Sequence, residues 1–288
     1  MKRHAIRLLG LWALACALLA GGPAGRLTVM TFNIRYANPS DGIYSWKNRI
    51  PLVAHVLRAS DPDLAGFQEA LRSQVDNLAV ILKDWAWSGV GRDDGRAAGE
   101  FSAVFFRRAR FRKLDGGTFW LSETPEVAGS RSWEAACNRI VTWVRLEDTL
   151  TGKTLFFFNT HFDHASPLAR EKSAALLTER VAKIAGGAEV LVTGDFNEGR
   201  GSRMYAILTT GPAALQNTAD LAIEPTPNPD YTFVGFPFQP RAGEAIDFVF
   251  GRNLTTWRPL RRTVVTYNVD GKYPSDHLPV VTEFVRAN

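Results

Sequence analysis

Two oxygen-bearing side chains, Asp195 and Asn197, stand two positions apart directly after an apolar run at residues 190–193. Side chains two positions apart along a strand point to the same face, so these two should share one place at a strand end. Such a pair could hold a hard cation or orient a water molecule. It could equally form a turn and cap a short helix over residues 202–208, because Gly, Asp and Asn are common turn residues.

Other apolar segments of the chain also end in a carboxylate, an amide or an imidazole. The residues at these ends are Asn33, Glu69, Asn159, His161, Asp163, Asp247, Asp276 and His277. Each one alone has an ordinary structural explanation as a turn former, a solvated strand end or a member of an ion pair. Together they provide oxygen ligands, which suit a hard cation, and two imidazoles, which can transfer protons.

The elements that must position these residues follow from the apolar pattern. Helical spacing predicts helices over residues 47–59, 71–82, 168–185 and 202–208. Apolar runs and alternation predict strands over residues 27–33, 64–69, 85–91, 101–107, 114–121, 140–146, 154–161, 190–193, 231–238, 245–250, 261–267 and 280–285. The mixed order of strands and helices indicates an α/β protein. No repeat or linker divides the chain, so we expect one domain over residues 25–288.

The N-terminus has the pattern of a secretory signal peptide. Three basic residues precede an acid-free apolar run at residues 8–20, and small residues follow it. We therefore expect a signal peptide over residues 1–24, and a protein that is secreted or periplasmic after cleavage. A lasting membrane span is disfavoured, because a span needs about 20 apolar residues. A lipid anchor on Cys16 is also less well supported, because the apolar run continues past that residue.

Charge and cysteine content exclude some classes of protein. The chain has 34 Lys and Arg against 29 Asp and Glu, and losing the three basic residues of the signal peptide leaves 31 against 29, a net charge of +2. This weak charge, without any Lys or Arg run, disfavours a nucleic-acid partner. Only Cys137 remains after cleavage, so the mature chain cannot form an internal disulfide. We expect a monomer.

The order of these motifs resembles the endonuclease/exonuclease/phosphatase superfamily, and in particular a secreted bacterial subgroup. The matching motifs are Thr31-Phe32-Asn33, Phe67-Gln68-Glu69, Asn159-Thr160-His161, Gly194-Asp195-Phe196-Asn197, Ile246-Asp247-Phe248 and Ser275-Asp276-His277. The resemblance implies a deoxyribonuclease-I-like fold, which is a four-layer α/β/β/α sandwich of two mixed sheets flanked by helices. It also implies metal-dependent hydrolysis of a phosphate ester.

The resemblance implies a role for each residue of the metal and water site. Glu69, assisted by Asn33, is expected to be the principal ligand of Mg²⁺, with Asp276 in support; Mn²⁺ and Ca²⁺ are alternatives. Asp195 is expected to orient or deprotonate the attacking water. Asn197 is expected to hydrogen-bond the phosphate or this water.

Two pairs of a carboxylate with an imidazole are implied by the deoxyribonuclease pattern. Glu100 is expected to pair with His161, and Asp247 with His277. A carboxylate that accepts from one ring nitrogen fixes the tautomer and raises the basicity of the other nitrogen. One imidazole could then protonate the leaving oxygen, while the other stabilises charge on the phosphate.

Asn159, Arg139 and Trp46 are expected to contact the substrate, with Arg139 on the phosphate. Asp163 shares a strand face with Asn159, and it is either close to the site or a solvated loop acid. The aromatic segment at residues 231–238 is expected to be a core strand with Phe233 inward. An aromatic hairpin that enters a membrane surface or stacks on bases is the alternative.

We therefore expect a secreted, Mg²⁺-dependent phosphohydrolase that cleaves a phosphodiester or phosphomonoester by in-line attack of water. A secreted nuclease is an alternative, which the weak charge disfavours. A sphingomyelinase-like lipid phosphodiesterase is another. A non-catalytic binding module is the remote alternative, because such a module would be expected to lose catalytic groups and the set here is complete.

Overall fold

The computed structural model describes residues 25–225, 229–239 and 243–287. The predicted signal peptide, residues 1–24, lies outside these ranges. Within them, none of the helices combines the length and the apolar character that crossing a bilayer requires.

Serine side chains cap the beginning of two of the α-helices. The helices of the described residues are α1 (Trp46–Ser60), α2 (Arg72–Ile81), α3 (Pro167–Ala185) and α4 (Arg203–Thr210). The hydroxyl of Ser166 caps α3 by accepting from the backbone N–H of Ala169, and Ser202 caps α4 in the same way. Because Ser202 supplies this cap, the interpretation of Asp195 and Asn197 as a helix cap is wrong.

The strands form two six-stranded sheets. The first sheet contains β1 (Arg26–Asn33), β2 (Leu64–Ala70), β3 (Trp85–Ser88), β4 (Phe101–Arg107), β11 (Trp257–Val264) and β12 (Val280–Arg286). The second contains β5 (Phe111–Trp120), β6 (Ile140–Asp148), β7 (Lys153–His161), β8 (Glu189–Asp195), β9 (Gln216–Asn217) and β10 (Asp247–Arg252).

The strand order is β11-β12-β1-β2-β4-β3 in the first sheet and β5-β6-β7-β8-β10-β9 in the second. Both sheets are mixed, because β1 pairs in parallel with β2, and β7 with β8, while the flanking strands are antiparallel. Parallel neighbours bring their carboxyl ends to the same edge of a sheet, and Asn33, Glu69, His161 and Asp195 lie at or next to the carboxyl ends of these four strands.

Three apolar layers hold the sandwich together. Side chains such as Val29 and Phe157 fill the space between the two sheets. Val53 of α1 packs on the outer face of the first sheet, and Leu177 of α3 packs on that of the second. The predicted four-layer α/β/β/α architecture is therefore confirmed.

The sheets lie close together beneath the site, at Gly66. A Cβ atom at Gly66 would lie 2.1 Å from Oγ1 of Thr193 and 2.4 Å from Oδ1 of Asn159. The amide of Asn159 donates across the gap to the carbonyl oxygens of Phe67 and Ala103, at 2.9 and 3.0 Å. The prediction that Asn159 contacts the substrate is therefore wrong, because its hydrogen bonds join the sheets inside the core.

The aromatic segment at residues 231–238 is not the predicted core strand. Its one bridge joins Phe233 to His277, and a turn follows in which Gly235 has a φ of 67°. Glycine readily adopts this left-handed conformation, and Pro237 cannot donate to a ladder, so an extended strand ends here. Phe233 is half-buried and faces the site, whereas Phe236 stacks on Tyr44 at 4.5 Å.

Candidate active site

The strand ends surround an open cleft of about 560 Å³. The predicted site residues that line it are Glu69, Glu100, Arg139, His161, Asp195, Asn197, Asp276 and His277. Asp247 and Asn33 lie directly beneath it and bond to residues of this set. The structure thus brings together most of the residues that the sequence placed at one site.

Asp195 is the centre of the cleft. Its Oδ1 atom accepts from the backbone N–H of Asn197 at 2.9 Å, and its Oδ2 atom accepts from the amide of Asn33 at 2.9 Å. The Nε2 atoms of His161 and His277 lie 3.4 and 3.6 Å from the same Oδ2. Burial raises the pKa of Asp195 to about 7, although the charge of His277 opposes this shift. A carboxylate with such a pKa can take up and release a proton near neutral pH.

His277 lies between two carboxylates. Its Nδ1 atom bonds to Oδ2 of Asp247 at 2.9 Å, so the pairing expected from the sequence is present. The two acids come together because β10 pairs with β8 in a register that places Asp247 opposite Asp195. Burial alone would lower the pKa of His277, but Asp247 and Asp195 together raise it well above the usual value. His277 is therefore an imidazolium at neutral pH and can act as a proton donor.

His161 has the opposite character. The amide of Asn197 donates both to Nε2 of His161, at 3.1 Å, and to the carbonyl oxygen of Phe162, at 3.0 Å. Nε2 is then the acceptor, and the ring proton is on Nδ1. Burial, with the nearby charges of Arg139 and Arg92, lowers the pKa of His161 well below its usual value. The site therefore pairs a neutral imidazole with a charged one, which is typical of acid and base partners.

Glu100 is not the partner of His161, and that prediction is wrong. Both oxygens of Glu100 accept from the guanidinium of Arg92, at 2.6 and 3.0 Å. The backbone N–H of Arg92 also bonds to the carbonyl oxygen of Glu100, which closes the intervening loop and sets the two side chains side by side. A bidentate guanidinium is a stronger partner than a neutral imidazole. Among the described residues, Nδ1 of His161 has no hydrogen-bond partner.

Asn33 orients carboxylates and does not offer a metal ligand. Its amide nitrogen donates to both Glu69, at 3.0 Å, and Asp195, at 2.9 Å. Its oxygen accepts from the backbone N–H of Arg35 at 3.0 Å. The expectation that Asn33 helps to bind the metal is therefore corrected, because it is the NH₂ group that faces the site.

Glu69 and Asp276 form the place that best fits a divalent cation. The guanidinium of Arg35 lies 3.9 Å from an oxygen of each, so the two carboxylates together already attract one positively charged group. Carboxylate oxygens suit Mg²⁺. Asp195, Asp247 and His277 also have ligand atoms within 4.8 Å of one another. That trio fits a metal less well, because a protonated imidazole has no lone pair to give.

Arg139 is well placed to bind an anion. It lines the cleft but is nearly buried, and its Nη2 atom donates to Nδ1 of His164 at 2.9 Å. Its Nη1 atom has no hydrogen-bond partner in the described part of the chain. Asp163 does not reach the cleft; it lies 3.6 Å from Nε of Arg139 and accepts from the N–H groups of Ala136 and Cys137. Asp163 thereby holds the segment that carries Arg139.

Trp46 is not a substrate contact, which corrects that prediction. Its side chain is buried within the first turn of α1, and its indole N–H donates to Asn77 at 2.9 Å, outside the cleft.

Arg35 is a functional candidate that sequence reasoning missed, whereas the position of Arg49 beside the loop after the first strand already makes it a candidate for shaping the substrate pocket. Arg35 lines the cleft and is anchored by two bonds of 3.3 Å to Asp41. It stands two positions after Asn33, but β1 ends at Asn33 and Arg35 has a φ of 55°, so strand alternation could not have placed it. Arg49 is buried, and it donates to the carbonyl oxygens of Ile34, Arg35, Tyr44 and Pro274.

Comparisons with known proteins agree with this geometry. The sequence model of the Endonuclease/Exonuclease/phosphatase family matches residues 30–277. A solved endonuclease/exonuclease/phosphatase from Bacteroides vulgatus is 34% identical, with a TM-score of 0.84 over 91% of this chain and 99% of that one. A mannosyl-6-phosphatase from Bacteroides thetaiotaomicron is 32% identical, with a TM-score of 0.82 over 90% and 99%. An uncharacterized protein of Acanthamoeba polyphaga mimivirus is 24% identical over 84% of this chain and 93% of its own length.

Proposed function

Because this chain belongs to the endonuclease/exonuclease/phosphatase family, we propose that it is a phosphomonoesterase that depends on a divalent cation, with Mg²⁺ as the first candidate. The observation that carries this proposal is the position of Asp195 between a neutral imidazole, His161, and a charged one, His277. A monoester is preferred over a diester because the mannosyl-6-phosphatase matches over nearly its whole length.

Phosphoryl transfer depends on positioning and on neutralising charge on the non-bridging oxygens of the phosphate. A cation held by Glu69 and Asp276 would supply much of that neutralisation. Arg35 lies beside both carboxylates, and the Nη1 atom of Arg139 is unpaired within the described residues, so both guanidinium groups can bind phosphate oxygens.

Proton transfer in this proposal uses Asp195 and His277. Asp195 takes a proton from the attacking water as its oxygen bonds to phosphorus, while the oxygen of Asn197 helps to hold that water. The bond from phosphorus to the alcohol oxygen breaks, and His277 donates its Nε2 proton to that oxygen. Asp195 then returns a proton to His277 across the 3.6 Å between them, so the site is reset without a net change.

The test is hydrolysis of p-nitrophenyl phosphate, a monoester, and bis-p-nitrophenyl phosphate, a diester, with Mg²⁺ and then with EDTA. We expect turnover of the monoester that EDTA abolishes and that Asp195→Asn lowers by about 10²–10⁴. Asp76→Asn is the matched control, because Asp76 is exposed and pairs with Arg72 on the same helix. Faster turnover of the diester would reassign the enzyme as a phosphodiesterase. Full activity of the Asp195→Asn variant would contradict the proposed role of Asp195 in proton transfer.

We also propose that residues 1–24 are removed on secretion and that residues 25–288 form one catalytic domain. The intact mass of protein recovered from the periplasm or medium tests the first part. A start after Ala20 or Ala24 supports cleavage, and a mature chain that retains the segment contradicts it.

A further inference from the structure

One end of the cleft carries four polar side chains, and the chemistry proposed at Asp195 uses only one of them, Arg139. The polar end consists of Arg92, Glu100, Arg139 and His164, all of which line the cleft. It lies beside β4 and β6, whereas Phe233 and Ile246 line the cleft near β10 and β12. Asp195 lies between the two ends, on β8. A substrate whose phosphate is at Asp195 can therefore extend its alcohol part toward the polar end.

The polar end is held rigidly by the loop at residues 91–100. The indole of Trp120 donates to the carbonyl oxygen of Arg92 at 2.7 Å, and Asp94 accepts from the N–H groups of Arg96 and Ala98. Gly91 allows the loop to close tightly, because a Cβ atom there would lie 2.2 Å from the carbonyl oxygen of Ala98. Arg92 and Glu100 are thus a fixed pair of donor and acceptor, and rigid groups bind a ligand with little loss of entropy.

The polar end offers both hydrogen-bond donors and hydrogen-bond acceptors. The oxygens of Glu100 accept from Arg92 and keep further lone pairs. Nδ1 of His164 accepts from Arg139, so the ring proton of His164 is on Nε2, and the residue as a whole is exposed. Nη1 of Arg139 and Nε of Arg92 are buried without a hydrogen-bond partner in the described ranges. A hydroxyl both donates and accepts, so neighbouring hydroxyls match this pattern.

We propose that the polar end binds the alcohol part of the substrate and selects a polyhydroxylated alcohol such as a sugar. This inference rests on the proposed phosphomonoesterase function and adds its substrate class. The carboxylate of Glu100 accepts hydroxyl protons, which a polyol offers and a second, ionised phosphate does not. The solved mannosyl-6-phosphatase is named for a substrate of this kind.

The first experiment changes the substrate and leaves the protein intact. We would measure kcat and KM for mannose 6-phosphate, its 2-deoxy analogue, inositol 1-phosphate and phenyl phosphate, which has no hydroxyls on its alcohol part. We expect KM for the polyhydroxylated substrates to be at least about 10-fold lower than KM for phenyl phosphate, since only their hydroxyls can bond to the charged groups of the polar end. KM is compared because phenolate is the better leaving group and raises kcat by itself. The rates for mannose and inositol phosphates distinguish a sugar from a cyclitol.

The second experiment uses Glu100→Gln, which keeps the shape of the side chain and removes its charge. The ratio of kcat/KM for mannose 6-phosphate to that for phenyl phosphate should fall by about 10-fold or more. Glu283→Gln is the matched control: Glu283 also accepts twice from one arginine, Arg261, but lies on β12 away from the cleft, so the ratio should not change.

Three results separate the two levels of the proposal. The subsite is overturned if Glu100→Gln lowers kcat/KM equally for mannose 6-phosphate and phenyl phosphate. It is also overturned if the wild-type enzyme has no preference for polyhydroxylated substrates. Both results leave the proposed phosphomonoesterase function standing. Absence of turnover on every monoester, phenyl phosphate included, overturns the proposed function together with its subsite.

Discussion

Asp247 bonds to Nδ1 of His277 at 2.9 Å, and this contact keeps the imidazole charged beside Asp195. Asp247→Asn removes the negative charge that raises the pKa of His277. The ring should then lose its proton near neutral pH and no longer donate to the leaving oxygen. We expect kcat for p-nitrophenyl phosphate to fall by about 10²–10⁴, while the free energy of phosphate binding changes much less.

The double variant Asp247→Asn/His277→Ala tests whether the two residues act as one unit. Its kcat should be no lower than that of His277→Ala alone, because Asp247 acts through the imidazole. Losses that multiply in the double variant would show that Asp247 has a separate function.

The dependence of activity on pH follows from the two buried groups with raised pKa values. Asp195 must be ionised to accept a proton, so kcat should rise as the pH passes about 7. His277 must be protonated to donate one, so activity should fall only well above the ordinary imidazole pKa of 6.5. A bell-shaped profile of kcat against pH checks this assignment. A profile that already falls between pH 6 and 7 would contradict it.

The free energy of unfolding should also depend on pH through Asp195. The pKa of Asp195 is higher in the folded state than its unfolded value of 3.8. Asp195 therefore stabilises the fold fully below pH 3.8, and this stabilisation is lost as the pH rises through about 7. Asp195→Asn does not titrate, so its stability relative to wild type should increase between pH 4 and pH 8. The gap of about 3 pH units corresponds to a change of order 4 kcal/mol. Urea denaturation of both proteins at several pH values measures it, and a constant difference would contradict the raised pKa.

The fold and the centre of the site could be predicted because strand ends leave a local pattern. Asp195 and Asn197 are two positions apart after an apolar run, and both line the cleft as predicted, but β8 ends at Asp195 and Asn197 has a φ of 56°, so a turn and not strand alternation brings them together. The pairing of Asp247 with His277 came from motif resemblance, and it holds because the register of β10 on β8 sets Asp247 opposite Asp195.

The wrong assignments depend on contacts that no local pattern records. Asn159 is at a strand end like the others, but Gly66 lets the sheets meet there, so its amide is used in the core. Glu100 meets Arg92 because a loop closes on itself, and the geometry of loop closure is not visible as a periodicity. The aromatic segment at residues 231–238 has the composition of a strand, yet the backbone at Gly235 turns.

Cation binding can be located by its effect on thermal stability. Mg²⁺ that binds only the folded protein should stabilise it by about 2.7 kcal/mol at 100 times its Kd. Glu69→Gln and Asp276→Asn should abolish this shift in Tm, because both residues flank the position that Arg35 approaches. Asp247→Asn should keep most of it. If Asp247→Asn abolishes the shift and Glu69→Gln retains it, the ion binds instead at the trio of Asp195, Asp247 and His277.

Arg49 should couple the stability of the fold to the geometry of the site. Its guanidinium donates to the carbonyl oxygens of Ile34, Pro274, Arg35 and Tyr44, at 2.6 to 3.0 Å. It thereby joins the segment after Asn33 to the segment before His277. Arg49→Met leaves these buried oxygens without a donor, at about 1–3 kcal/mol each where water cannot reach them.

We expect Arg49→Met to lower the free energy of unfolding by about 3–5 kcal/mol, and to lower kcat more than it raises KM, because the two segments lead to Arg35 and to His277, both of which line the cleft. Arg49→Lys keeps a charge but lacks the planar fork, so it should restore only part of both losses. Arg112→Met is the control, because that side chain is exposed and pairs with Glu147 at the surface. Urea denaturation and steady-state kinetics measure the two effects. A stability within about 0.5 kcal/mol of wild type would show that solvent or a rearranged loop replaces the guanidinium, and that the two segments are held by other contacts.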